Sequence, residues 1–171
     1  MRTLLLGLLL LSSLAKAEEV PAYIVTDIPQ ATLVGQGVLR WFGIKVYEAK
    51  LWAAQGHYDA ASPHALQLIY GHDFSAKNLA EEGAKQMRQQ GVEESHVTRW
   101  IPVMQHAFTD VKAGDSLTAL LLPDQSLRFF SNGQVTTTVK DPEFSRHFLD
   151  IWLGNKTSEP KLRLKLLGQS P

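Results

Sequence analysis

Apolar residues change their spacing several times along this chain, and each change marks an element. Segments 31–40 and 44–53 are rich in Val, Ile, Leu, Tyr and Trp, which predicts two strands with Gly43 near their junction. Segment 65–70 (ALQLIY) predicts a third. Ser75, after Phe74, is placed to cap a helix that runs to Gln90 and stops before Gly91. Over 93–111, Val97, Trp100, Ile101, Met104, Phe108 and Val111 recur every three or four residues and describe one apolar helical face. Pro102 lies inside that pattern and is expected to kink the segment or split it, because it removes a backbone donor.

Beyond this point the period returns to that of strands. Segments 116–122, 127–131 and 134–139 read as three short strands, and Asn132-Gly133 between the last two is a hairpin signal because both types tolerate positive φ. Asp141-Pro142-Glu143 opens a helix with a cap, a first-turn proline and an acid at the positive dipole end. Phe144, Phe148, Ile151 and Trp152 form its inward stripe, and Gly154 ends it. Ser158-Glu159-Pro160 starts a last helix with Leu162, Leu166 and Leu167 facing inward. Strands and helices grouped in runs indicate an α+β fold, with a mainly antiparallel sheet and helices gathered on one face.

The start of the chain has a different character. Arg2 precedes an apolar stretch over 4–11, and Ala15-Lys16-Ala17 carries small residues where a signal peptidase reads. Residues 1–17 are therefore expected to be a secretory signal peptide cleaved after Ala17, too short to remain as a spanning anchor. Residues 18–171 then form one expected domain. The 17 basic and 17 acidic residues balance, and without Arg2 and Lys16 the net charge is about −2. Such a surface has no general attraction for nucleic acid. The absence of cysteine in an exported chain leaves stability to the hydrophobic core, and a bacterial periplasm is the expected compartment.

The common catalytic signatures are missing. Without cysteine there is no thiol nucleophile or zinc–thiolate site, the six histidines form no His-Glu-x-x-His pair, and no Gly-x-Ser-x-Gly elbow is present. No metal and no cofactor is implied, and catalytic residues stay unassigned. Gly35-Gln36-Gly37 lacks the rest of a phosphate loop; in a strand it reads as a bulge or a close backbone approach. His72-Asp73 reads as a polar cluster at a strand end. Arg40 is the unusual residue, standing between Leu39 and Trp41-Phe42. It is either an edge charge or the anion contact of a cleft, since its fork of donors suits a carboxylate or phenolate. Tyr47 would share a face with Lys45, Ala49 and Leu51.

Several segments, in order, resemble the chalcone isomerase-like superfamily, in particular its bacterial exported branch. They are LVGQGVLR at 33–40, GIKVYEAKLW at 43–52, FSAKNL at 74–79 and VKAGD at 111–115. Phe144, IWLG at 151–154 and LLG at 166–168 complete the series. The resemblance implies an open-faced β-sandwich-like α+β fold, a curved antiparallel sheet with a helical layer and a cleft between them. Plant enzymes of this superfamily use an arginine to stabilise a phenolate or enolate during ring closure, whereas non-catalytic members grip a fatty-acid carboxylate with an arginine and a tyrosine. By resemblance Arg40 is the anion contact and Tyr47 its hydroxyl partner.

The plant pattern departs in three places. Val46-Tyr47 stands where a threonine is expected, Tyr70 and Asn78 lie near the catalytic positions without the motif, and the spacing from Gly37 to Arg40 is one residue longer. The expected function is therefore non-enzymatic binding of a small amphipathic anion such as a fatty acid. The alternatives are an isomerase or lyase acting on an enone- or enolate-forming substrate, and an interaction module whose cleft is filled by Trp41, Phe42, Trp52 and Trp100.

Overall fold

A computed structural model describes residues 18–170; the expected signal peptide lies outside them. Six strands form one sheet in the order of the sequence, every neighbouring pair antiparallel. They are β1 (Ala31–Trp41), β2 (Ile44–Ala54), β3 (His64–Tyr70), β4 (Ser116–Leu121), β5 (Leu127–Ser131) and β6 (Gln134–Val139). Among the described residues five helices accompany them: α1 (Ala22–Asp27), α2 (Ala76–Gln89), α3 (Glu94–Ala107), α4 (Pro142–Leu153) and α5 (Pro160–Leu166). This is the α+β class expected, and the caps act as the sequence implies. Ser75 accepts from the Asn78 amide at 3.1 Å, and Asp141 accepts from Glu143 and Phe144 at 3.1 and 3.0 Å.

Two expectations need correction. First, the 93–111 segment forms one helix, α3, with Pro102 inside it, and ends at Ala107. Pro102 and Thr98, whose carbonyl loses its partner, are both exposed, so water can satisfy that oxygen. Phe108 is already extended, and Val111 instead bridges to Phe74. Second, the helices are not all on one face. Helices α2 to α5 cover one side of the sheet in a large core that includes Leu66, Leu68, Ala84, Met104, Phe129, Phe144 and Leu166. Helix α1 covers the other side, where Ile24 and Ile28 pack with Trp52, Ala65, Leu120 and Phe130.

Strand periodicity explains how one sheet serves two cores. Leu51 and Trp52, Ala65 and Leu66, Leu120 and Leu121, and Phe129 and Phe130 are neighbouring residues that enter opposite clusters. The α1 side also carries a polar row. Trp52 Nε1 donates to Gln67 at 3.3 Å, Gln67 Nε2 donates to the Tyr23 hydroxyl at 3.2 Å, and that hydroxyl lies 2.9 Å from Thr118 Oγ1. Arg128 Nη1 reaches both carboxylate oxygens of Asp27 at 2.8 and 2.7 Å, fastening the end of the helix. Lys50 on the same row pairs with Glu18.

The Gly35-x-Gly37 pair marks the close approach that the sequence implies. A Cβ on Gly37 would lie 2.6 Å from Leu162 Cδ1, and one on Gly35 would overlap the Lys165 carbonyl oxygen. Helix α5 therefore lies directly on β1, beside a bulge between Leu33 and Gly35.

Candidate functional site

A cleft of about 730 Å³ opens between the sheet and the helical layer, within the range of small-molecule sites. Its floor is apolar, with Leu66 and Leu68 from β3, Leu117 and Ala119 from β4, and Phe129 from β5. One wall is α2, through Asn78, Leu79, Glu82, Gly83 and Gln86. The opposite wall is α4, through Phe148, Ile151 and Trp152. The exposed lining residues Arg40, Trp41, Lys85, Gln89, Ser158 and Glu159, with the exposed Asn78 and Glu82 of α2, form the rim. The self-filled alternative is thereby corrected: Trp41 and Phe42 point outward, Trp52 belongs to the α1 side, and Trp100 is packed in the core away from the lining.

Arg40 and Tyr47 both line this cleft, in different settings. A bulge between Leu39 and Arg40 inserts Val46 on β2, so that Leu39 pairs with Tyr47 and Arg40 with Lys45. Tyr47 is carried inward, whereas Arg40 is exposed and its Nη1 donates to the Gly43 carbonyl at 3.1 Å. The cation thus stands at the mouth rather than among the apolar walls. Among the described residues, Arg40 and Lys85 are the cations that line the cleft, and both are on the rim.

Two phenols supply hydroxyls to the interior. Trp152 Nε1 donates to the Tyr47 hydroxyl at 2.9 Å, which leaves the tyrosine O–H free to donate into the cleft. Tyr70 sits edge-on to Tyr47, with ring centroids 6.1 Å apart, and Phe74 follows at 5.8 Å. Among the described residues the Tyr70 hydroxyl has no side-chain or backbone partner. Burial is the main cause that pushes both phenols well above their ordinary pKa. At Tyr47 the Trp152 N–H opposes it, and Glu159 and Glu82 reinforce it. Both are protonated donors at neutral pH.

Trp152 carries no signal of this role in the sequence beyond its place on an apolar stripe. A tryptophan turned toward a core does, however, need an acceptor for its N–H. His72 is exposed, and Asp73 caps the Ala113 amide at 3.0 Å, a structural use of that pair. Among the described residues no group of three or more His, Asp or Glu is placed to hold a metal ion.

Comparison with known proteins agrees with this geometry. A family model described as chalcone isomerase-like matches residues 16–168. A Haemophilus influenzae protein described as uncharacterized is 28% identical over 138 residues, covering 80% of this chain and 68% of its own length. Among solved structures, a fatty-acid binding protein of Arabidopsis thaliana superposes with a TM-score of 0.61 at 12% identity. That match covers 82% of this chain and 88% of the plant chain. At that identity the likeness speaks for the fold.

Proposed function

Because this chain belongs to the chalcone isomerase-like family, we propose that it is an exported, periplasmic protein that binds a fatty-acid-like amphipathic anion without turning it over. The observation that carries this reading is the cleft itself, an apolar interior with hydrogen-bond donors near one end and a guanidinium at the mouth. An acyl chain would lie over Leu66, Leu68, Leu117 and Phe129, where each buried methylene contributes about 0.8 kcal/mol. Its carboxylate would stay near the rim, reached by Arg40 from outside and by the Tyr47 hydroxyl from within. The Arabidopsis neighbour, named as a fatty-acid binding protein, supports the same ligand class.

Binding is favoured over turnover because the buried hydroxyls of the cleft are donors, Tyr47 and Tyr70 both being held protonated, while the carboxylates that line it, Glu82 and Glu159, are exposed to solvent. Among the described residues no helix is long and apolar enough to cross a membrane. Native mass spectrometry of protein purified from its own host, followed by calorimetric titration of delipidated protein with palmitate, tests the reading. A retained acyl-chain mass and one-to-one binding are expected. Protein that carries no lipid and gives no heat with palmitate would overturn it.

A further inference from the structure

The turn between β1 and β2 displays its largest residues to solvent. Trp41 is 71% exposed, Phe42 87% and Ile44 54%, and the Trp41 and Phe42 rings meet edge to face at 4.9 Å. Single exposed apolar residues are ordinary, but three within four positions make a patch. The backbone shows that this is not a demand of the turn. Phe42 has φ +47° and Gly43 has φ +79°, a left-handed pair in which a bulky side chain is an outlier. The β5–β6 hairpin makes the same pair of conformations with Asn132 at +47° and Gly133 at +80°. The chain thus builds one turn with the residue that fits and the other with a residue that does not. Such strain is kept where the side chain has a use.

Within the tip segment itself the charges have one sign. Between Gln36 and Tyr47 the charged residues are Arg40 and Lys45, with no acid. Lys45 is shared with Glu48 at 3.2 Å, while among the described residues Arg40 makes no ion pair and is held across the turn by the Gly43 carbonyl. Arg40 and Trp41 also belong to the rim of the cleft, so whatever the tip touches lies beside the cleft mouth.

We propose that the Trp41–Ile44 tip is a wedge that enters the headgroup region of a phospholipid bilayer bearing anionic lipids, seating the cleft mouth on the membrane. Aromatic rings favour that interfacial layer, and a flanking arginine can reach phosphates while its stem stays among apolar groups. A protruding tip of four residues is too small for a stable interface between two proteins, which needs about 800 Å² from each partner. The use of the wedge, to exchange an acyl ligand with the bilayer, rests on the function proposed above; its contact with lipid does not.

The test is a double substitution, Phe42→Asn with Ile44→Thr, at two positions outside the cleft lining. An asparagine before Gly43 would copy the β5–β6 turn, so the melting temperature should hold or rise. Wild-type protein should co-sediment with vesicles of phosphatidylcholine and phosphatidylglycerol, with a blue shift in its tryptophan emission. The variant should partition at least ~10-fold more weakly, with palmitate binding in vesicle-free buffer unchanged. Three results would overturn the wedge: no vesicle binding by the wild type, equal binding by the variant, or a dimer in solution that the two substitutions abolish. If neither protein binds palmitate yet vesicle binding still differs between them, the ligand reading fails and the wedge stands.

Discussion

Tyr47 and Tyr70 share a chemistry but differ in what the protein has already asked of them. Tyr47 accepts the Trp152 N–H, so Tyr47→Phe strips a donor from the ligand and also leaves a largely buried indole without its partner. We expect it to destabilise the free protein by about 1–3 kcal/mol. Palmitate affinity should fall ~10-fold or more, the cost of a lost hydrogen bond to a charged group. Tyr70→Phe removes a hydroxyl that has no protein partner among the described residues. Its urea midpoint should match the wild type, and any fall in calorimetric affinity reports ligand contact alone. Arg40→Ala acts from the solvent side, where water and salt already screen the charge, so its effect on affinity should be smaller and should shrink as salt is raised.

At the scale of elements, the large core and the α1 side can be perturbed separately. Ile24 is fully buried between α1 and the far face of the sheet. Ile24→Ala should cost about 2–5 kcal/mol in urea unfolding while palmitate affinity in native buffer stays unchanged, since the whole sheet separates it from the cleft. The strands and helices α2, α4 and α5 were legible because each repeats its apolar period between residues that start or stop it, as Ser75, Asp141 and Gly154 do, whereas uncapped α3 showed its period but not its end. Helix α1 was not. Its six residues, AYIVTD, hold too few turns for a period to emerge, and its place is set by long-range partners such as Thr118 and Arg128. The cleft was legible only in its residue types. That Val46 is an extra residue, turning Tyr47 inward and leaving Arg40 at the mouth, depends on strand register, which local sequence does not specify.

Across the whole molecule, one buried base links folding to pH. His64 is 1% exposed; its Nδ1 lies 2.8 Å from the Ser62 carbonyl, Tyr58 packs edge-on, and its Nε2 has no partner among the described residues. Burial lowers its pKa, and the Ser62 carbonyl and Asp59 only partly oppose that. The unfolded chain binds a proton near pH 6.5 while the native state still resists it, so stability is full above that pH and is lost as pH falls below it. Urea midpoints should drop between pH 7.5 and pH 5.5, and His64→Gln should flatten that slope whatever it does to stability at neutral pH.

The α1 side has a mechanical consequence for the cleft. Pinned from behind by Ile24, the Tyr23–Gln67 bond and the Arg128–Asp27 clasp, the sheet cannot bow outward when the opposite side is filled. Volume for a bulkier guest must come from the helices, with α2 sliding along α3 where a Cβ on Gly83 would come within 3.0 Å of the Met104 sulfur. Hydrogen exchange with and without palmitate should therefore change along α2 and leave β3 and β4 unaltered: a rigid bed beneath a yielding roof.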